Sequence, residues 1–393
     1  MSVPDNFAEW TASRGVVLTG VAPRRIPGRG IGLVTTRAVQ VSFRASTNLS
    51  CNLCRFRNAH TDWNAQLKAG EVLLQAPLSS FKTRQTVPKD LARHAQGASV
   101  HGLLALTLAL EAANDEPSTA PWRAVLPPPE DLSSMPIHWD PSLQSRLPSR
   151  ARELLAHQQK KLPSDWAAVS SLGVSEADYK HHWVLVNTRS FYHSPSAHRA
   201  QSSQDKLALI PAADLLNHSS SGCRETFSSR GLTIAADREY PADTEIHICY
   251  GRHGNDFLLT EYGFLLSPNE WDEVNLDDVL LPFLSEDQKE KLRDLGFLGR
   301  WVLDARTPGC FRTQVALRVL KGVDTGRFLR GEETDEAQRA VDVFFDEILA
   351  GYLEKIEAVV NEVQGLGPEG EVLAGRWRQI GELVRGTRSQ LAR

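Results

Sequence analysis

The chain has 393 residues, 41% of them hydrophobic, and a formal net charge of −4. That length supports two or three domains with a real core, and the balanced charge argues against a broad nucleic-acid face. No apolar run reaches the ~20 residues of a membrane helix. The polar start, with Asp5 and Glu9, does not read as a secretory signal. Five cysteines without disulfide-framework spacing point to a reduced intracellular compartment.

Residues 1–14 read as a short amphipathic helix, with Phe7 and Trp10 three apart. Val16-Val-Leu is strand-like, and a second strand, Arg29 to Val34, is entered through a glycine-rich turn. Gly28-x-Gly30 is too little for a dinucleotide fingerprint, because Leu33 stands where a third glycine belongs and no βαβ unit follows. A tight turn or close backbone approach to a ligand is the plainer need. Val39 and the run Leu67 to Leu74 would join into one strand–turn–strand unit if residues 41–66 were absent.

Residues 41–66 are polar and patternless, and long structureless loops are uncommon in compact domains. One reading is a surface insertion; the other is a retained intron. Val41-Ser42 can be encoded as GTGAGT, Thr61-Asp62 can contain CTGAC, and Gln66 can end in CAG. The segment holds Cys51-x-x-Cys54 and His60, but a zinc site needs four ligands and no second CxxC exists.

Further on, 90–113 reads as a buried helix, 114–149 as an irregular Pro- and Ser-rich connection punctuated by Trp122 and Trp139, and 150–161 and 175–192 as helices. Ser202 to Asp205 reads as a loop. Short strands dominate 207–250, with turns expected at Ser219–Gly222 and Tyr240–Asp243. Beyond about 270 the chain turns helical: Asp277–Leu298, Arg312–Leu320, Asp335–Val363 and Gly370–Leu391. A stripe of Phe344, Ile348, Tyr352, Leu353 and Ile356 marks the third.

The chemistry concentrates in Ile210 to Ser219 and Glu245 to Gly251. Asp214, Asn217 and His218 are polar groups inside an apolar run, costly unless each finds a partner. Helix capping by Asp214 and core duty for His218 are the bland alternatives. No Ser-His-Asp or Gly-x-Ser-x-Gly arrangement is visible, so hydrolase chemistry lacks its parts.

Five pieces in order resemble the SET-domain lysine methyltransferases, in the branch typified by the Rubisco large-subunit methyltransferase. They are Arg29-Gly30-Ile31-Gly32-Leu33, Asn187-Thr188-Arg189-Ser190-Phe191, Asp214 to His218, Tyr250-Gly251 and Tyr262-Gly263-Phe264. The resemblance implies an α+β chain: a SET fold of short β-sheets with a pseudoknot and a helical insert, followed by an all-α C-terminal domain. The implied divisions are an N-terminal helix at 1–15, a SET domain at 16–266 with 78–200 mostly helical, and a substrate-binding helical region at 267–393. It also implies S-adenosyl-L-methionine as cofactor, held by the backbone of Arg29, Gly30 and Ile31, by Arg189, and by Asn217 and His218, with Asp214 in support. Tyr250 would place its hydroxyl beside the reacting methyl, and Tyr262 and Phe264 would wall the adenine pocket and lysine channel. No metal is called for.

The implied partner is a lysine of a non-histone protein, ribosomal by family likeness, with no nucleic acid or membrane partner, in cytoplasm or nucleus. Two rivals stand beside this: a catalytically silent SET-like scaffold, into which a translated 41–66 insert could turn the chain, and an S-adenosylmethionine enzyme with a small substrate.

Overall fold

The structure, a computed structural model, describes residues 2–36, 70–193 and 206–392. Residues 41–66, with Cys51, Cys54 and His60, and the loop Ser202–Asp205 lie outside the described residues, as does Val39. The chain divides into two compact units: Met1–Asp131 with Lys161–Gly251, and Leu132–Lys160 with Arg252–Arg393.

The first unit opens with the expected helix, Val3–Ser13. Ser2 and Asp5 form a reciprocal capping box that satisfies two of its orphan N–H groups. Phe7 is fully buried, and the Trp10 indole donates to the Ser118 carbonyl (2.7 Å) while its ring stacks on Trp122. The strands follow as β1 Val17–Leu18, β2 Val21–Ile26, β3 Gly30–Thr35, β4 Val72–Pro77, β5 Lys82–Thr83, β6 Ser190–Tyr192, β7 Leu207–Leu209, β8 Asn217–Ser228, β9 Gly231–Ala235 and β10 His247–Ile248. They form a β2–β3 hairpin, a sheet ordered β1-β4-β9-β8-β10 and a sheet ordered β5-β7-β6. All pairs are antiparallel except β8 with β10, which run parallel.

β3 pairs with β2, and β4 with β1 and β9; the junction of Val39 with the run from Leu67 lies outside the described residues. The turn expected at Ser219–Gly222 is absent, because these residues lie within β8. Gly222 is there for contact rather than for turning: a Cβ would stand 2.5 Å from the His247 carbonyl oxygen.

The helical part of this unit packs Val100–Ala113 against Glu176–Arg189. The first is separated from Lys89–His94 by Gly97, at φ +98°, and is capped by Ser99, so 90–113 is two helices. The buried Asp165 carboxylate accepts from the Ser99 N–H (2.7 Å), the Ser99 hydroxyl (2.9 Å) and the Trp183 indole (3.0 Å). The helix expected over 175–192 stops at Arg189, because pairing with β7 claims the backbone of Ser190–Tyr192.

In the second unit, Asp335–Val363 and Gly367–Leu391 form a long antiparallel-style helix pair held by facing apolar rows. Phe345 and Leu349 join Ile348, Tyr352 and Ile356 in the buried row, while Phe344 is half-buried beneath Lys321. Arg376, 0% exposed, pairs with Asp256 (2.6 Å) and Asp272 (2.6 Å). Asp277–Leu298 is not one helix: Pro282 sits in the 3-10 turn Leu281–Phe283, and Ser285 caps a new helix, Glu286–Asp294. One short antiparallel pair, β11 Glu273–Asn275 with β12 Val302–Asp304, lies among these helices.

Candidate functional site

The site is built in the first unit, from the β2–β3 hairpin upward. Gly28 and Gly30 flank Arg29 at φ +72° and +77°, where an L side chain is strained, and open space faces both. Gly32 serves a different need. A Cβ there would lie 2.6 Å from Ile26 Cδ1, 3.3 Å from Glu245 Oε1 and 3.5 Å from Asn217 Nδ2. The bare backbone of β3 therefore lies directly against the Glu245 and Asn217 side chains. β3 is fixed there by a bridge between Val34 and Glu245 and by Ile246 N–H donating to the Leu33 carbonyl (3.0 Å).

The run Ile210 to Leu216, apolar apart from its one carboxylate, is buried and turns through Ala212 at φ +72° into a 3-10 turn, Ala213–Leu215. A non-glycine residue in that region stores about 1–3 kcal/mol of strain, which the packed surroundings must hold. Asp214, 5% exposed, accepts from the Trp122 indole N–H through Oδ2 (2.7 Å). The Arg189 guanidinium donates to the Asp214 backbone carbonyl. Burial pushes the Asp214 carboxyl up to about 6, against the pull of Arg189 and the Trp122 hydrogen bond. Among the described residues, Asp214 Oδ1 and Arg189 Nε are buried without hydrogen-bond partners.

Immediately after this turn the two polar clusters meet. The Tyr250 N–H donates to His218 Nδ1 (3.0 Å), and the Tyr250 hydroxyl donates to the Leu216 carbonyl (2.6 Å). Their rings lie 5.1 Å apart. Asn217 Nδ2 donates to Glu245 Oε1 (2.6 Å), while Arg29 Nη1 (3.0 Å) and His247 Nε2 (3.4 Å) reach Glu245 Oε2. Burial raises the Glu245 carboxyl, but the His247 and Asn217 hydrogen bonds and the Arg29 charge outweigh it, and Glu245 titrates below its ordinary range.

Arg29, Gly30, Ile31, Arg189, Asp214, Asn217, His218 and Tyr250 thus all fall in the first unit, and hydrogen bonds link Arg29, Asn217 and Glu245, Arg189 and Asp214, and His218 and Tyr250. Tyr262 and Phe264 belong to the second unit. There, Tyr262 ends the helix Asn255–Tyr262, Gly263 caps it at φ +81°, and the Tyr262 and Phe264 rings lie 6.1 Å apart. Burial and then the Glu261 carboxylate push the Tyr262 phenol up to about 12.

Two participants escaped the sequence reading as site residues. Trp122 lies 92 positions from its partner Asp214, and nothing local ties the two. Glu245 had a usable signal: strand alternation puts it on the same face as His247.

No protein-family model matches the chain. It is 30% identical over 219 residues to the ribosomal lysine N-methyltransferase set11 of Schizosaccharomyces pombe, covering 54% of this chain and 55% of that protein. Over 216 residues it is 26% identical to ribosomal lysine N-methyltransferase 2 of Saccharomyces cerevisiae, covering 45% of it, so the chain spans about half the length of these two relatives. The match to human SET domain-containing protein 4 is longer: 25% identity over 93% of this chain and 84% of that protein. Among solved structures, Rubisco LSMT bound to sinefungin and monomethyllysine superposes with a TM-score of 0.64 at 15% identity, covering 100% of this chain and 92% of that one. The SET domain of LSMT bound to lysine and AdoHcy gives 0.63 at 14% identity, with 99% and 91% covered. The glycine hairpin, the buried Asp214 turn and the His218–Tyr250 contact thus stand in a chain that is similar over most of its length to SET domain-containing protein 4 and alike in fold to Rubisco LSMT.

Proposed function

We propose that this chain is an S-adenosylmethionine-dependent protein-lysine N-methyltransferase acting on a non-histone protein. The observation that carries the reading is the double attachment of Tyr250 to the Asn217–His218 corner, through its N–H and through its hydroxyl. The residues fit the cofactor's zwitterionic end. Arg189 keeps a buried Nε–H without a hydrogen-bond partner among the described residues, and Asn217 offers an amide beside Gly32 of β3. Arg29, Gly30, Ile31, Arg189, Asn217 and His218 would hold that group, with Asp214 in support.

When bound, S-adenosylmethionine supplies an activated methyl on a sulfonium centre. The chain must then hold the lysine nitrogen in line with it, positioning that can lower a barrier by ~7–11 kcal/mol. The lysine must also be neutral, although its reference pKa is ~10.4. Apolar walls and a nearby positive charge both disfavour the ammonium form. The Tyr250 hydroxyl donates its hydrogen bond to the Leu216 carbonyl, so toward a further group its oxygen acts as an oriented acceptor rather than a strong base. The names of the relatives make a ribosomal protein the first substrate to test. We place the activity in cytoplasm, nucleus or both; five cysteines without framework spacing support a reducing compartment.

Calorimetry with S-adenosylmethionine, followed by labelled-methyl transfer to ribosomal proteins and whole-cell extract, tests the reading. Binding and lysine labelling are expected, and Tyr250→Phe should cut transfer at least tenfold with cofactor binding nearly intact. Absence of binding by the wild-type protein would overturn the reading. Binding without any labelling would favour a silent scaffold.

A further inference from the structure

We propose that Glu245 is a positioning residue of the cofactor pocket, setting the orientation of the Asn217 amide while tying Arg29 and His247 to it. This rests on the cofactor reading above and adds a residue to it. Glu245 meets three pieces of chain that are far apart in sequence: the turn after β2, the first residue of β8 and the first residue of β10. Its backbone is bridged to Val34 of β3, so the side chain starts from a fixed point. The side chain is 13% exposed and lies over the bare backbone at Gly32.

The consequence for Asn217 follows from donor and acceptor inventory. A carboxylate only accepts, so it selects the Nδ2 end of the amide, as the 2.6 Å contact shows. The Oδ1 end must then point away from Glu245. An acceptor so oriented suits an ammonium or other N–H donor, the chemistry of the amino-acid end of the cofactor, and not its sulfonium or ribose carbons. Reversing the amide would replace that acceptor by a donor and repel an ammonium group. The other oxygen, Oε2, faces Arg29 and His247, so the carboxylate has no rotation left that keeps all three contacts.

The test compares two ligands on the full-length protein. S-adenosylhomocysteine carries the amino-acid end; methylthioadenosine lacks it. In Glu245→Gln, whose amide can donate to Asn217 and turn it, affinity for S-adenosylhomocysteine should fall about tenfold, equivalent to about 1.4 kcal/mol. Affinity for methylthioadenosine should change less than about twofold. Equal loss for both ligands, or no loss for either, would overturn the positioning role while leaving the cofactor reading intact. No binding of S-adenosylhomocysteine by the wild-type protein would overturn both. Thermal unfolding reports whether the variant folds. If Glu245→Gln does not, Glu245→Asp, which keeps the charge but withdraws it by one methylene, is read in the same comparison, with the same ligand-selective loss expected.

Discussion

Asp214 makes the folded state of the first unit sensitive to pH in a direction that acid usually does not take. Its carboxyl titrates near 6 in the folded chain against 3.8 as a free side chain, because burial disfavours the charge more than Arg189 and Trp122 support it. A folded pKa above the unfolded one means the folded chain takes up the proton first. The ionised group therefore destabilises by about 3 kcal/mol well above pH 6, and that penalty is relieved as pH falls from about 6 towards 3.8. Between about pH 7.5 and about pH 5 the linkage relation gives about 1.4 kcal/mol of relative stabilisation. Asp214→Asn removes the titration. Its amide oxygen can still accept from the Trp122 indole, while its NH2 occupies the place of the partnerless Oδ1, at a cost of about 1–3 kcal/mol. The net change at neutral pH is thus small, and the pH dependence is the clean readout. Urea unfolding of both proteins at both pH values should show the wild type gaining about 1.4 kcal/mol relative to Asp214→Asn on acidification. Identical pH dependence in the two proteins would refute the claim that this carboxyl is held charged against its burial.

His101 acts in the opposite sense. It is buried and neutral, its Nε2–H donating to the Trp183 carbonyl (2.7 Å), with the Lys161 amine 3.2 Å from Nδ1. Burial, then the Lys161 charge, pull its pKa down to about 3, so the unfolded chain protonates first and stability falls as pH drops below 6.5. Between about pH 7.5 and about pH 5 the loss is about 2 kcal/mol, and His101→Gln should remove that slope in the same urea series. Gly222→Ala drives a Cβ to within 2.5 Å of the His247 carbonyl, so β8 and β10 must part. The expected loss is about 1–3 kcal/mol or more, with weakened cofactor binding by calorimetry because Tyr250 follows β10. Arg376→Met strands Asp256 and Asp272 inside the second unit. Breaking a buried pair in this way costs about 3–5 kcal/mol, read as a drop in Tm of the corresponding unfolding transition.

Much of this protein is legible in its order of residues. The N-terminal helix, the strand after Arg29 and the helices Asp335–Val363 and Gly367–Leu391 announce themselves because caps, glycines and apolar periodicity are local properties. The polar trio in the run Ile210 to Ser219 is legible for a related reason: buried polar groups in an apolar stretch imply partners. Which partners, only the tertiary structure decides. Strand order is one case, since β3 and β4 flank each other along the described chain yet join different sheets. Gly222 looks like a turn residue but lets two strands touch, because the atom that excludes a side chain there belongs to His247. Trp122, in an irregular connection, becomes the hydrogen-bond donor of a carboxylate 92 residues away. Hydrogen bonding and burial act through space at ~3 Å, and neither the sequence separation nor the identity of the neighbour is encoded in local pattern.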